Sequence, residues 1–297
     1  YVRLVHSILF INKSTLTFRA YIRAVRANIS LGWALDGNWA PPLVYLLVTL
    51  TAPISGVLML IYMYKIVLGG GSDPFFLAFM LTGAAAFMFV RLSLAAAGMV
   101  VVEDREHYRM FRYIYSAPAP FPLQILGRVL PKVGIAAIAA VVPFIAGRVF
   151  FNLPFNRAGI DWEMLLTSLL IALFGMGAMG WMLASLMLLI DRMGWVFAEG
   201  IAGLLFLLTG AVIPLDIIPA PLALIGKSTP IAYWIDLWRL AVYGDAVKLA
   251  LQSSSIPELW NRLLTSTIIW LVFAIMWNIA ADKLARRWGR IERETFY

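Results

Sequence analysis

The run from Pro41 to Tyr64, PPLVYLLVTLTAPISGVLMLIYMY, decides the fold. It carries no charge, and the charges nearest to it are Asp36 on one side and Lys65 on the other. A helix crosses the hydrocarbon core of a bilayer with roughly 20 apolar residues, so this run is long enough to span. Working outward, the same texture recurs. Pro74 to Val102 is broken only by Arg91, and Val129 to Phe150 has Lys132 and Arg148 near its ends. Met164 to Ile190 is charge-free, Gly194 to Ile213 contains only Glu199, and Leu263 to Ala281 is again charge-free. These runs predict six membrane-spanning helices, at about 41–64, 75–102, 129–150, 164–190, 194–213 and 262–283.

Composition supports the same class. Of 297 residues, 62% are hydrophobic and only 13% charged, about half the ~25% of a soluble domain. Too few polar residues exist to cover a water-soluble enzyme of this size. Long charge-free runs without strict alternation favour helices over barrel strands. There is no Cys, hence no disulfide framework, thiolate nucleophile or Cys-based metal site. The two histidines, His6 and His107, are far apart in sequence and give no metal cluster. The chain begins at Tyr1, which suggests a trimmed start, and its basic, amphipathic beginning does not read as a secretory signal.

The net charge of +8 is an orientation signal rather than a sign of nucleic acid. Lys and Arg collect in loops on the cytoplasmic side. Sixteen of the 24 lie in residues 1–38, in the loop after span two, in the turn after span four, or in the tail at 285–297 and its edge. Seven lie on the other side, and Arg91 is within a span. Both termini are therefore expected in the cytoplasm. Ahead of span one, Leu16, Phe18, Tyr21, Ile22, Val25 and Ile29 recur at roughly helical spacing, with Arg19, Arg23 and Arg26 largely on another side. That pattern reads as a helix lying in the membrane interface, either a plain anchor or a contact for a cytoplasmic partner.

Two stretches differ from the apolar runs. Seven of the ten residues Glu103–Arg112 are charged or His, followed by Tyr113 and Tyr115 and then by Pro118, Pro120 and Pro122. The spacing predicts a short amphipathic helix over about 103–116, stopped by the prolines. Acidic residues at its start suit the helix dipole, and its aromatic density suits a packing surface. Between spans five and six, residues 214–245 contain Pro214, Pro219, Pro221 and Pro230. The apolar pieces between them are too short to cross, as in re-entrant elements.

In these two stretches the chain resembles the permease subunits of type-two ABC exporters. Val102-Glu-Asp-Arg-Glu, continuing to Tyr-Ser-Ala-Pro118, is similar to the acidic and Arg-bearing signature after span two of that family. His107 and Tyr108 stand where the family often has Gly and Thr. Leu208-Thr-Gly-Ala-Val-Ile-Pro-Leu-Asp-Ile-Ile-Pro-Ala-Pro221 and Ser228-Thr-Pro-Ile-Ala-Tyr-Trp-Ile-Asp-Leu-Trp-Arg239 resemble its Thr-Gly, Pro, Pro-x-x-Tyr and closing Arg. The resemblance implies an all-α integral membrane protein of the plasma (inner) membrane that pairs with a second permease, identical or related. Two ABC ATPase subunits would dock beneath the pair and hold the ATP and Mg²⁺. It makes Glu103, Asp104, Arg105, Glu106, Arg109, Phe111, Arg112 and Tyr115 a coupling helix against the ATPase. Arg19, Arg23 and Arg26 become a connecting helix, and Thr209, Gly210, Pro214, Pro219, Pro230, Tyr233 and Arg239 an outer re-entrant gate. The exported substrate would be hydrophobic or amphiphilic: a drug, a lipid or a lipid-linked glycan.

The residues themselves hold no phosphate-binding Gly-x-x-x-x-Gly-Lys-Ser/Thr run, so the chain is not an ATPase by itself and carries no cofactor site. Arg91 and Glu199 are the charges well inside spans. They pair with each other, or Glu199 reaches interfacial water, or they serve a substrate or proton. Gly175, Gly177 and Gly180 suit close helix packing or flexibility of a path. Two other classes remain open. A secondary transporter would show repeats or broken helices at the midplane. An intramembrane transferase would need spaced acidic pairs, for which only Glu103/Asp104 and Asp161/Glu163 stand available.

Overall fold

The computed structural model describes residues 18–38, 40–67, 74–116, 121–153, 159–190, 193–244, 247, 249–251 and 255–289. Among them every regular element is helical. Helix α1 is Phe18–Gly37, and α2 is Pro42–Val67. The next rod, α3, runs through Pro74–Val90, a π turn at Arg91–Ala95, Ala96–Val102 and a second π turn at Glu103–His107. Helices α4 (Phe111–Ser116), α5 (Phe121–Phe151), α6 (Trp162–Met187) and α7 (Gly194–Leu208) follow. The chain then forms α8 (Ala220–Ser228), α9 (Pro230–Tyr243) and α10 (Ile256–Arg287). Five helices (α2, α3, α5, α6 and α10) are long and apolar enough to cross a membrane. The protein is an all-α, multi-pass membrane protein.

The expected spans sit inside these helices, with differences that have local causes. The third helix begins at Phe121 rather than near Val129, because Gln124 and Arg128 are buried against neighbours instead of lying in a loop. Pro122 does not stop a helix; it stands in the first turn of α5, where a missing N–H costs nothing. Pro118 and Pro120 lie outside the described residues. The fifth apolar run gives α7, only 15 residues, or ~22 Å at 1.5 Å per residue. It stops at Leu208 instead of Ile213 because Gly210 takes a left-handed turn at φ 77°.

Neighbouring helices alternate in direction. Gly194 of α7 abuts Val102 of α3, and farther on the Phe206 ring meets Phe87 at 4.3 Å, so α7 runs antiparallel to α3. Arg105 reaches the carbonyls of Met187 and Ile190, which marks where α3 and the end of α6 meet, here called the Glu103 end. The described beginning of the chain lies there too: Gly32 of α1 touches the Arg128 backbone, and Lys132 pairs with Asp36 at 3.3 Å. So does the closing part of α10, where Asn278 donates to the Ser185 hydroxyl at 2.6 Å. At the opposite, Asp161 end, the N–H of Asp161 donates to Ala241 of α9.

Between α7 and α10 the chain folds back into the bundle. Pro219 caps α8 and Pro230 opens α9. The tip between them abuts Gly175, where a Cβ would lie 2.6 Å from the Pro230 ring. Gly175 lies 13 residues into α6, or ~20 Å from its start, so the hairpin penetrates to mid-bundle. All of α9 is buried. Trp234 and Trp238 meet Phe89 edge-on at 5.9 and 5.5 Å, and Trp238 Nε1 donates to the Leu165 carbonyl at 3.1 Å. Aromatic edges and one satisfied indole hold a short helix where hydrophobicity alone gives no direction. Gly180 lies against Ala97 while Gly177 has only Leu126 nearby, so close packing explains the first and not the second.

The closest approach in the hairpin is at Gly226, where a Cβ would collide with the Leu208 carbonyl oxygen. Gly226→Ala is expected to destabilise by about 2 kcal/mol or more, despite the better helix propensity of Ala. Gly203→Ala in α7, where nothing lies within 4 Å, should be neutral or stabilising by up to about 1 kcal/mol. Thermal unfolding of both variants in detergent checks the contrast.

Candidate functional site

Three polar clusters are distributed along α3, and they differ in how well their charges are hidden. At the Glu103 end, Arg128 of α5 is buried and pairs with two of the three acids of the π turn. One of its terminal nitrogens holds Asp104, and the other lies 3.6 Å from Glu103. Arg105 turns the other way and donates to the carbonyls of Met187 at 3.1 Å and Ile190 at 2.6 Å. It thereby closes the end of α6, whose last carbonyls lack helical partners and carry the negative end of the dipole. Glu106 accepts from the same guanidinium at 3.0 Å.

This knot corrects the expected coupling helix. Residues 103–116 do not form one helix beginning at Glu103. The π turn extends α3 to His107, with the Tyr108 N–H donating to the Glu103 carbonyl. Arg109 then adopts φ 52°, and a separate α4 starts at Phe111. Asp104 and Arg105 face into the protein, and Phe111 is buried with its ring against Phe121. What the segment presents outward is His107, Tyr108, Arg109 and Tyr113. The side chains of Arg112 and Tyr115 lie outside the described residues, as does that of Arg19; Arg23 and Arg26 are exposed on α1.

At the Asp161 end Arg239 is fully buried. It donates to Asp236 at 2.7 Å and to the carbonyls of Phe79, Gly210 and Ala211 at 3.2, 2.8 and 3.0 Å. Its guanidinium carbon stands 3.4 Å from the centre of the Phe79 ring. Asp236 in turn accepts from the backbone N–H groups of Ala250 and Leu251, both at 2.9 Å. One side-chain pair thus ties α9 to α3, to the turn after α7 and to the segment before α10. Of the other expected gate residues, Gly210 meets Arg239 directly, Pro219 is exposed at the start of α8, and Pro230 stands beside Gly175 at mid-bundle. Thr209 caps its own helix through the Leu205 carbonyl, Pro214 is buried, and Tyr233 donates to the Lys227 carbonyl at 2.6 Å.

The third cluster is the pair inside the spans. Arg91 Nε lies 3.4 Å from Glu199 Oε2. Both side chains are about half exposed, at 48% and 46%. A charge facing hydrocarbon at mid-span costs about 3 kcal/mol or more. This pair is therefore less fully compensated than the buried Arg128 and Arg239 clusters.

A cavity of about 510 Å³ opens between α5 and α6. Phe144, Leu165, Leu169 and Trp238 line it, with Arg148 at its edge. It is a hydrophobic recess rather than a catalytic pocket. Among the described residues no group of three or more His, Asp or Glu could hold a metal ion.

Sequence reasoning missed Arg128 and Asp236. Arg128 was counted only as a loop charge, and nothing local links it to Asp104, 24 positions away. Asp236 could have been found, since it precedes Arg239 by three residues on one helix face. No family model matches the chain, and no curated protein matches it.

Asp104→Asn removes the closer of the two acids paired with buried Arg128 and leaves Glu103 at 3.6 Å. It should cost about 1–3 kcal/mol, the penalty for weakening a charged hydrogen bond at a buried group that keeps a second partner. Tyr113→Ala, on the exposed side of α4, should change stability by no more than about 0.5 kcal/mol. Equilibrium unfolding of the two variants decides whether the knot is structural.

Proposed function

We propose that the chain is the membrane-spanning permease half of an ATP-driven exporter of the type-two ABC group. It pairs with a second permease, identical or related, and two ATPase subunits that hold ATP and Mg²⁺. Its place is the plasma (inner) membrane, with both termini cytoplasmic. The sixth crossing is α7, completed at the Asp161 end by the turn through Gly210. The substrate is a hydrophobic or amphiphilic molecule leaving the cytoplasm or inner leaflet.

The observation that carries this reading is the arrangement of α3. At one end it finishes in an anchored π turn followed by the short α4, which presents Tyr113. At the other it is held by Arg239 to a re-entrant hairpin. Closure of the ATPases beneath the membrane would push on α4 and its loop. The Arg128 knot would pass that displacement to α3 and α5, and α3 would carry it to the hairpin. The chain needs no nucleotide site of its own for this.

One observation favours a second reading, an ion-coupled secondary transporter. The tip of the hairpin at Pro230 stands beside Gly175, mid-bundle, and broken helices at that depth mark the binding sites of such proteins.

Purification of the tagged chain from its native membranes separates the two. The exporter reading expects an ABC ATPase recovered in equal amount. Arg109→Ala combined with Tyr113→Ala should lower that recovery about tenfold, as loss of interface anchors does, with unchanged unfolding of the chain itself. Absence of any ATPase, with uptake or release driven by an ion gradient in proteoliposomes, would overturn it.

A further inference from the structure

The Arg91–Glu199 pair stands apart from the other charges of this protein. Arg128 has two carboxylates, Arg239 has a carboxylate and three carbonyls, and both are buried. Arg91 approaches Glu199 through Nε at 3.4 Å, with both side chains about half exposed. No other polar contact of its two terminal nitrogens occurs among the described residues. Arg91 is also the middle residue of the span-length rod Phe75–His107, 16 residues from each end. That is ~24 Å from either end, and so close to the centre of a ~30 Å hydrocarbon layer. A guanidinium placed there with its fork unused is a functional site by default.

The surroundings supply room and apolar surface. Along the exposed side of α7, Gly200 and Gly203 have nothing within 4 Å of where a Cβ would stand. Leu204 and Leu207 continue that exposed side, and the paired rings of Phe87 and Phe206 lie a turn or two from the charges. Arg91 opens the π turn Arg91–Ala95, an irregularity that often accompanies binding sites inside helices. The result is a polar spot of both signs beside an exposed apolar face of α7.

Charge balance selects the ligand. An anion alone would compete for Arg91 and leave Glu199 uncompensated at mid-span. A cation alone would strand Arg91 in the same way. A headgroup carrying both signs satisfies each side and keeps the site neutral. We propose that Arg91 and Glu199 form the headgroup site for a zwitterionic amphiphile. Its phosphate or carboxylate takes the free fork of Arg91, its ammonium takes the Glu199 carboxylate, and its apolar tail lies along α7 over Gly200 and Gly203. As a substrate site this rests on the permease reading; as a binding site it stands separately.

The test uses the full chain reconstituted in vesicles of equal parts phosphatidylcholine and phosphatidylglycerol. Spin-labelled lipids of each headgroup, and of uncharged diacylglycerol, report which is held at the protein. The wild type should hold phosphatidylcholine over the other two by roughly tenfold, a difference well above annular exchange. Arg91→Gln with Glu199→Gln should abolish the preference. Arg91→Glu with Glu199→Arg should keep it, because a zwitterion can turn round. Gly203→Leu puts a bulky side chain where the tail would lie and should weaken the preference with both charges intact. Competition by glycerophosphocholine would identify a soluble zwitterion as sufficient, and competition by whole lipid alone would assign the tail a share.

An unchanged preference in the double Gln variant overturns the proposal. So does a double Gln variant that loses self-association while its lipid preference stays the same, which would make the pair a contact between two copies. The outcomes also separate the two readings. Loss of lipid preference without an ATPase partner would leave the site and remove the exporter. An ATPase partner without lipid preference would do the reverse.

Discussion

A single guanidinium holds the Asp161 end of this protein together. Arg239 has no access to solvent, and its donors go to one carboxylate and three backbone carbonyls from two other parts of the chain. Helices in a bilayer gain little from burying apolar side chains against each other, since lipid is as apolar as leucine. Orientation must come from close backbone approach and from polar groups that have nowhere else to go. Arg239 supplies the second, and Gly83 and Gly226, each against a backbone carbonyl, supply the first. Replacing Arg239 would strand Asp236 and several carbonyls at once, which is why the re-entrant helix α9 can be short and still fixed.

The Glu103 end follows the same logic with a different topology. Arg128 and Arg105 each satisfy groups from a different helix, the one with side-chain acids and the other with the open end of α6. Glu103, Asp104, Arg105 and Glu106 are therefore engaged internally. What reaches outward is a set of aromatic and basic side chains around the break at Arg109. A partner at this face would meet Tyr108, Arg109 and Tyr113 rather than Asp104 or Arg105.

Much of the fold was legible in the sequence because hydrocarbon imposes a simple length and charge filter. The apolar runs around Pro41–Tyr64 and Met164–Ile190 became helices α2 and α6 with ends within a turn of expectation. The Pro-rich stretch after Leu208 became a hairpin that turns back into the bundle. Three features were not legible. Burial of Asp104 depends on Arg128, which the sequence places on the far side of three prolines. Pro122 can end one helix or begin another, and the burial of Gln124 and Arg128 decides which. The stop at Leu208 depends on a left-handed Gly210 under Arg239. Whether Arg91 and Glu199 would meet was open in the sequence, since it required the relative height of two helices, and the structure brings them to 3.4 Å.

The two π turns of α3 give that rod an unusual mechanical character. A π turn holds one more residue than the α-helix it interrupts, so the faces before and after Arg91 are rotated against each other by the angle of one residue. The side chains before Arg91 that meet Trp234, Trp238 and Phe206 are thus out of step with those after it that meet Gly194. A regular α-helix would resist twisting as one piece along its length. Here one of the two irregular turns begins at a half-exposed charge, so a twist of one half of α3 against the other would be felt at the Arg91 guanidinium.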